Sequence, residues 1–445
     1  MSKKVRDYLF ISFIVVFVIT TFFVSLYASG YKINFGWPPS FNRLLLKTGM
    51  LAVDTIPAGA TVSLNGREQT QFALAPWKKE TLTTAAKIKN LAPGEYDLVL
   101  EREGYWAFQK RINIYSGQTT FVEDINLFRK DLPLLLTSAE TGELQLSRGR
   151  KYLYLSGAEK IINVKTGQER LLEKATVLSS PESSWQKNEE KLLLAGRLLD
   201  FNAAKDIDYR QLIGAGADYW YNDENTDRLY FRHENSLNYL NTNKNTVVRL
   251  LSGEDYLSYE PRGEDLFLVA AADGRIVLRK YSLPDRQTEQ EISLPGVGTY
   301  RFVTDGRNRL ALYDDQNSTL YLINPNDLGD TITIKNVISW QWLDEESLLY
   351  NNAWEIYFLN LNQKNASLIT RVGEEIKKII WNKNQKYLIF SSAGSLNALD
   401  LQTGTITTIL QTKEIASPVL DDENDLLYFW AQIGQQAGIY QLLLQ

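Results

Sequence analysis

The fold of this chain is decided by a pattern that occurs twice in succession near its C-terminus. Residues 338–360 read ISWQWLDEESLLYNNAWEIYFLN, and residues 379–400 read IIWNKNQKYLIFSSAGSLNALD. In each copy, short apolar runs alternate with polar turns, which is typical of antiparallel strands joined by hairpins. The repeat period is about 39 residues, within the range at which propellers and repeat arrays occur.

The same pattern extends back to about residue 144. When the second strand of each unit is aligned, these leucines fall in register: Leu153, Leu193, Leu229, Leu266, Leu310, Leu348, Leu388 and Leu427. The third strands follow at Ile161, Leu198, Leu237, Ile276, Leu320, Ile356, Leu396 and Ile439. The sequence therefore predicts a mainly β protein with eight units of about four short strands each, as a β-propeller requires.

Ring closure is also predicted from the sequence. A four-stranded sheet of short strands cannot bury both faces alone, so each unit is expected to stack on its neighbours. The last unit ends at Gln445 after three strands, and an apolar strand at Leu132–Thr137 precedes the first unit. We expect that strand to complete the last blade. Eight blades is the prediction and seven the alternative, while an open solenoid and two β-sandwiches are further alternatives.

The strand-turn-strand pattern resembles the TolB-type propeller repeats and, more broadly, WD-type propellers. The Ser-Pro-Asp-Gly turn of the TolB type is degenerate in this chain. Its nearest equivalents are Asp305-Gly306 and Arg262-Gly263. The resemblance implies a β-propeller, which we expect to span residues 130–445.

The composition excludes several classes of site. The 445 residues include no cysteine, so disulfides, thiolate metal sites and cysteine nucleophiles are excluded. His233 is the single histidine, so a histidine-ligated metal cluster cannot form within the chain. The formal net charge is −5 and no long basic block occurs, which argues against nucleic acid as a partner. We predict no cofactor and no catalytic, cofactor-binding or metal-binding residues.

The N-terminal segment predicts a membrane anchor. Leu9–Tyr27 reads LFISFIVVFVITTFFVSLY and contains no charged residue. As a helix it would span about 28 Å, close to the ~30 Å hydrocarbon thickness of a bilayer. We therefore predict a transmembrane signal-anchor helix at residues 9–29 with the lipid bilayer as its partner. A cleaved secretory signal and a buried core helix are the alternatives.

The orientation of the anchor is predicted from its flanking charges. Basic residues stand on both sides, namely Lys3, Lys4 and Arg6 before the span and Lys32, Arg43 and Lys47 after it. Because a short basic tail directly abuts the span, residues 1–8 are expected in the cytoplasm. The bulk of the chain would then be extracytoplasmic, on a cytoplasmic or inner membrane. Residues 30–49, with Gly36, Pro38 and Pro39, are expected to form a linker.

Residues 50–128 show short alternating runs split by turn residues, which predicts a small antiparallel β domain. Asn65-Gly66 between apolar runs is a strong hairpin signal, because both residues tolerate a positive φ. Pro93-Gly94 predicts a turn before another alternating strand. Two final strands are expected around Arg111–Tyr115 and Thr120–Leu127.

These elements resemble the PEGA domain, a β module of prokaryotic cell-surface proteins. Its signature tetrapeptide stands here as Pro57-Ala58-Gly59-Ala60, with Ala58 in place of the family's glutamate. The Asn-Gly turn, the Leu-x-Pro-Gly-x-Tyr-x-Leu run at 91–98 and the pair Gly104-Tyr105 follow in order. The resemblance implies an envelope-exposed binding or spacing module without catalytic residues. An unrelated small β domain with similar turns is the alternative.

Four residues imitate part of a calcium loop. Asp223, Asn225 and Asp227 are followed by Glu234 at spacings close to those of calcium ligands. However, Arg228 stands where the loop needs a glycine, and the flanking runs predict strands. We therefore interpret the segment as a hairpin turn.

Similar acidic turns occur at Asp344–Glu346 and Asp421–Asp425. They are interpreted as hairpin turns, although paired carboxylates could also serve a propeller-fold glycosidase. His233 is expected to be a solvated side chain near a turn. Tryptophans recur near strand positions, and most are expected to pack between blades, while a minority could line a sugar-binding surface: Trp220, Trp340, Trp342, Trp381 and Trp430.

The sequence thus favours a non-catalytic, membrane-anchored cell-envelope protein. Its propeller is expected to bind a protein or polysaccharide partner through loops, where binding residues are hardest to identify from sequence. The enzymatic alternative is a carboxylate-dependent glycoside hydrolase or lyase, which a cluster of carboxylates with raised pKa at the channel mouth would favour. A third possibility is an envelope assembly scaffold or sensor subunit that requires a membrane partner.

Overall fold

The computed structural model describes residues 3–33, 45–72, 79–140, 143–156, 160–172, 184–185, 190–194, 196–214, 218–221, 227–303 and 308–445. The chain divides into two compact units. The first comprises residues 1–131 together with 399–409 and 444–445, and the second comprises residues 132–398 and 410–443.

The N-terminal helix, Lys3–Ala28, covers the predicted span at residues 9–29 except for its last residue. The most apolar 18-residue stretch within Val5–Ala28 has a mean hydropathy of 2.7, and none of that stretch is buried inside the protein. A helix that is apolar all round and covered by no other element requires an apolar solvent. It therefore fits a single-pass membrane anchor or a signal sequence.

The expected linker contains paired strands at both of its ends. Tyr31–Ile33 pairs antiparallel with Leu45–Lys47, and Tyr31 lies opposite Lys47. The chain between them, including Gly36, Pro38 and Pro39, lies outside the described residues.

The described residues of the small β domain form three sheets. The four-stranded sheet has the order Phe108–Ile114, Gly94–Glu101, Thr61–Leu64, Arg67–Glu68. The three-stranded sheet has the order Thr119–Asn126, Gly49–Ile56, Ala86–Leu91, and a two-stranded sheet joins Thr70–Phe72 to Lys79–Thr81. The predicted hairpin turn is confirmed, because Asn65 and Gly66 connect two strands with φ values of 49° and 71°.

The core of this domain comes from alternating positions on its strands. In Gly94–Glu101, for example, Leu98 and Leu100 are fully buried while their neighbours are more exposed. They pack with Leu51, Val62, Phe108, Ile112 and Ile125.

One strand pair departs from the expected antiparallel arrangement. Thr119–Asn126 runs parallel to Gly49–Ile56, with a register shift between Val122 and Ile125. Parallel neighbours need a long connection, and the other strands of the domain provide it because they all lie between these two in sequence. The three-stranded sheet is therefore not purely antiparallel.

The described residues from 134 to 443 form a β-propeller of four-stranded antiparallel sheets. The first sheet consists of Leu144–Leu146, Tyr152–Leu155, Lys160–Asn163 and Glu169–Leu171, and the second of Ser184–Trp185, Lys191–Leu194, Arg197–Asp200 and Lys205–Asp208. The third sheet consists of Asp218–Tyr221, Arg228–His233, Ser236–Asn241 and Thr246–Ser252, and the fourth of Asp255–Arg262, Asp265–Ala272, Arg275–Ser282 and Gln287–Ser293. A short helix, Arg210–Ile213, connects the second sheet to the third.

The remaining four sheets repeat the arrangement. The fifth sheet consists of Tyr300–Val303, Leu310–Asp314, Thr319–Asn324 and Asp327–Ile334, and the sixth of Ser339–Trp342, Ser347–Asn351, Glu355–Asn360 and Asn365–Arg371. The seventh sheet consists of Lys378–Asn382, Tyr387–Ser391, Ser395–Asp400 and Ile406–Gln411, and the eighth of Glu414–Asp421, Leu426–Ile433, Gln436–Leu443 and Leu134–Ser138. The described residues thus form eight such sheets. Because the second and third sheets border residues outside the described part, eight blades stays our prediction.

The aligned leucines occupy the second strands of the sheets, as predicted, and all of them are buried. Each sheet packs against the next through such side chains. One cluster, for example, joins Leu320 and Leu322 of one sheet to Leu348 of the following sheet. This packing explains the regular spacing of the leucines, since each sheet buries its faces only against its neighbours.

Ring closure uses the N-terminal strand of the unit. Leu134–Ser138 pairs antiparallel with Gln436–Leu443, which confirms the predicted outer strand. The strand begins two residues later than predicted, and Leu132 is 92% exposed. Pro133 lies between them and has no backbone N–H to contribute to a sheet.

The first and last sheets of the propeller also pack side by side. Leu153 and Leu155 of the first sheet share a buried cluster with Tyr428 and Trp430 of the last sheet. Ion pairs join the same two sheets at one end. Arg150 donates to Glu423 at 2.7 Å and also to Asp422, and its Nε lies 3.4 Å from Asp421.

Closure of the ring generates a testable prediction at Gly438. A Cβ at this position would overlap the carbonyl oxygen of Thr137 on the paired strand. We expect Gly438→Ala to lower the free energy of unfolding by about 1–3 kcal/mol, because the strand backbone must shift. Urea unfolding of the detergent-solubilised chain measures the change.

Gly296→Ala is the matched control. A Cβ on Gly296 meets nothing within 4 Å, so we expect a change within about 0.5 kcal/mol. Equal stabilities for the two variants would contradict the closure.

Candidate functional site

The two ends of the propeller sheets differ in the connections that they carry. In a four-stranded antiparallel sheet, the link from second to third strand lies at the same end as the link to the next sheet. We call this end the loop face, and the end with the first-to-second-strand turns the turn face. The first strands of neighbouring sheets contact one another, as Ser339–Trp342 and Lys378–Asn382 do. They therefore line the centre of the ring.

A cavity of about 620 Å³, which we call the channel cavity, opens where first strands begin at the loop face. Its lining comes from several sheets and comprises Glu143, Leu144, Arg301, Ile338, Ser339, Lys377, Lys378, Ser391, Ala393, Glu414, Ile415, Ala416, Ser417 and Pro418. Ser339 helps to hold two of these sheets together. Its Oγ accepts a hydrogen bond from the backbone N–H of Ile379 at 2.9 Å.

Lys378 is a half-buried lysine in the lining of the channel cavity. Burial lowers the pKa of its ammonium group, and the nearby carboxylate of Glu143 opposes that shift. The side chain still keeps part of its surface exposed because it borders the open cavity. Among the described residues no carboxylate forms an ion pair with it, whereas Lys377 pairs with Glu375 and Arg301 pairs with Asp315.

The wall of the channel cavity contains an irregular strand. In Glu414–Asp421 the register shifts between Ala416 and Val419, and Ser417 has a φ of 48°. A positive φ disfavours a residue with a Cβ, and Pro418 has no N–H to contribute to the ladder. Bulges of this kind are concentrated next to functional sites because they redirect side chains.

A second cavity of about 700 Å³, the loop groove, adjoins the first and shares Ala393 with it. Loops of two neighbouring sheets line it with Trp354, Gly373, Glu374, Glu375, Ser392, Ala393, Gly394, Ser395, Gln411 and Thr412. Trp354 is 50% exposed, although its backbone is held by hydrogen bonds to Asn352 and Val372 at 2.9 Å. A large aromatic surface is thus presented on a fixed loop.

The loop groove also contains the carboxylate of Glu374, which is held in place by hydrogen bonds. Glu374 Oε2 accepts hydrogen bonds from the hydroxyls of Ser392 at 2.7 Å and Ser395 at 3.1 Å. Asn397 in turn donates to Ser395 at 2.8 Å. Ser392, Ser395 and Asn397 are all buried, while Glu374 itself is exposed. The buried hydroxyls therefore fix one oxygen of a carboxylate that lines the groove.

The acidic turns lie at the turn face, away from both cavities. Asp344 accepts a hydrogen bond from the backbone N–H of Glu346 at 2.8 Å, and Asp421 accepts one from Glu423 at 3.1 Å. Burial raises the pKa of Asp425, which also accepts a hydrogen bond from Asn382 at 3.0 Å. Their contacts support the interpretation of these carboxylates as turn residues.

The calcium-like residues cannot share an ion. Asp223 and Asn225 lie outside the described residues. Asp227 and Glu234 stand at opposite ends of the strand Arg228–His233, and such a strand separates them by about 20 Å. Calcium ligands all lie within about 2.6 Å of the ion. His233 ends that strand and is exposed, as predicted.

The predicted tryptophans divide by burial. Trp342 and Trp430 are buried in the packing between sheets, and Trp340 and Trp381 are half-buried. The side chain of Trp220 lies outside the described part of the chain. The exposed Trp354 was not among those predicted. The sequence feature that could have indicated its exposure is its position in the polar run Asn351–Glu355, which lies between two strands.

Comparison with known proteins identifies one domain. Residues 48–127 match the family model of the PEGA domain, so this part of the chain is a PEGA domain. A search of curated proteins finds no match. The PEGA match covers the small β domain and does not extend to either cavity.

Solved structures with similar chains include one from a crystal structure of a mitotic checkpoint complex. It shares 10% identity and a TM-score of 0.38, and the match covers 70% of this chain and 91% of that chain. Hsv2 of Kluyveromyces lactis is 14% identical and aligns with a TM-score of 0.34, and the match covers 48% of this chain and 69% of that chain. At these low TM-scores the fold assignment rests on the strand pairing described above.

The environment of Lys378 gives a testable prediction. Competitive acetylation with acetic anhydride across pH should place its titration midpoint below the ordinary lysine value of about 10.4, because burial disfavours the ammonium form. Glu143→Gln removes a nearby negative charge, so the midpoint should fall further.

Glu346→Gln at the turn face is the control and should leave the midpoint of Lys378 unchanged. A midpoint that rises in Glu143→Gln would contradict the proximity of these two charges.

Proposed function

We propose that this chain is a non-catalytic, membrane-anchored cell-envelope protein whose propeller binds a partner through the loop face. The observation that carries the proposal is the pair of adjoining cavities there, of about 620 and 700 Å³. Pockets of this size with a few convergent polar groups are typical of ligand sites. Lys378 in one cavity and Trp354 in the other offer a charge and an aromatic surface.

The location of the protein is inferred from its first unit. The apolar helix would lie in the bilayer at residues 9–29, with the basic tail at residues 1–8 on the cytoplasmic side. The PEGA domain supports an extracellular role for the chain that follows. The predicted PEGA-like region 50–128 and the propeller at 130–445 would then both be extracytoplasmic.

A glycoside hydrolase is not favoured by the contacts of the carboxylates. The acidic turns that suggested one lie at the turn face and bind their own backbone. In the channel cavity Glu143 and Glu414 are accompanied by Arg301, Lys377 and Lys378. A general acid requires a carboxyl group whose pKa is raised towards neutrality, and Asp425, whose pKa is raised by burial, lies at the turn face and lines neither cavity.

Photo-crosslinking of the full-length protein in intact cells tests the proposal. A benzophenone side chain at Gln411, which lines the loop groove, should capture the partner because benzophenones insert into C–H bonds of proteins and sugars alike. The same group at Glu346 on the turn face is the matched control and should capture markedly less.

If the partner is captured from Glu346 but not from Gln411, the binding surface lies at the turn face, and the proposal that the loop face binds the partner is wrong. Turnover of a polysaccharide that disappears in Glu143→Gln or Glu414→Gln would overturn the non-catalytic assignment.

A further inference from the structure

The loop groove combines features that suit a sugar. A pyranose ring presents an apolar C–H face and a rim of hydroxyl groups. Sites for such ligands combine an exposed aromatic surface with a few fixed hydrogen-bonding groups. Trp354 supplies the aromatic surface, since it is 50% exposed at the edge of a cavity of about 700 Å³. That volume accommodates more than a single sugar ring.

The groove has a fixed acceptor for sugar hydroxyls. Glu374 Oε2 is occupied by the hydroxyls of Ser392 and Ser395. Among the described residues, no hydrogen bond occupies its second oxygen, Oε1. A carboxylate held from behind by buried hydroxyls is preorganised, so a ligand hydroxyl that donates to Oε1 need not order it.

The loops that form the groove are held together before any ligand arrives. Thr412 donates its backbone N–H to the carbonyl of Gly394 at 2.9 Å, and Ile376 donates to Ala353 at 2.8 Å. Gly394 permits this approach, because a Cβ there would lie 2.8 Å from the carbonyl oxygen of Thr412. Each of these hydrogen bonds joins the loop between the second and third strands of a sheet to the connection that leaves the same sheet, so backbone contacts hold both sets of loops in place.

The charge of the groove selects among sugars. Its ionisable lining residues are Glu374 and Glu375, of which Glu375 pairs with Lys377 at 2.7 Å. Glu374 has no cationic partner among the described residues, so the groove is net acidic. A uronate or another acidic sugar would meet like charge, whereas neutral sugars would not.

The geometry points to the loop groove as a binding site for neutral oligosaccharides, stacked on Trp354 and hydrogen-bonded to Glu374. This inference rests on the proposed function and names the chemical class of its ligand. It requires no bond to be made or broken.

Calorimetric titration of the full-length, detergent-solubilised protein tests the assignment. The probes are cellotetraose, maltotetraose and chitotetraose, with tetragalacturonate as the acidic comparison. At least one neutral tetrasaccharide should bind, and tetragalacturonate should not.

Substitutions then locate the binding. Trp354→Ala should weaken it by about tenfold or more, and Trp354→Phe should weaken it less because an aromatic surface remains. Glu374→Gln should also weaken binding, since the charged acceptor is lost. Val297→Ala is the matched control. Val297 lies in a connection at the loop face and is 67% exposed but does not line the groove, so affinity should not change.

The outcomes separate this inference from the proposed function. If no neutral tetrasaccharide binds, or if Trp354→Ala binds as well as the parent protein, the sugar site is wrong. The proposed function would still hold if Gln411 captures a protein in the crosslinking experiment, and it fails separately if that position captures nothing. An unfolding midpoint like that of the parent protein ensures that each variant tests binding rather than folding.

Discussion

The propeller depends on the pairing of residues that are remote in sequence, Leu134–Ser138 with Gln436–Leu443. A sheet of four short strands has two apolar faces, and each must be covered by a neighbouring sheet. Only a closed ring covers all of them, because an open row leaves the first and last sheets with one bare face each. The Leu153–Tyr428 cluster and the contacts of Arg150 show how the two terminal sheets cover each other.

Closure also explains where binding can occur. At the turn face, the described carboxylates of Asp344 and Asp421 accept hydrogen bonds within their own turns, and Asp425 accepts one from Asn382 of the neighbouring sheet. The loop face is different, since its connections come from neighbouring sheets and meet around the channel cavity and the loop groove. Trp354 and Glu374 are held rigidly there, yet neither is needed to bury a sheet. A rigid scaffold can thus present exposed groups without loss of stability.

The repeat of the propeller could be predicted from the sequence because the second strand of each sheet must bury its side chains. A leucine therefore occurs at the same position in every unit. The turn at Asn65-Gly66 was readable for a local reason too, since both residues adopt a positive φ. The cavities were not readable, because Lys378, Glu143 and Trp354 come from different sheets and meet only through ring geometry. The parallel pairing of Thr119–Asn126 with Gly49–Ile56 likewise depends on which strands become neighbours.

A pair of engineered cysteines tests ring closure most directly, because the natural chain contains none. Leu134 lies opposite Gln441 on the paired strand, close enough for a disulfide after a small adjustment. Under mild oxidation, Leu134→Cys with Gln441→Cys should lose both free thiols within one chain. Leu134→Cys with Leu368→Cys, two exposed positions on different sheets, should remain reduced. If the first pair stays reduced in the folded protein, the ring is not closed by this strand.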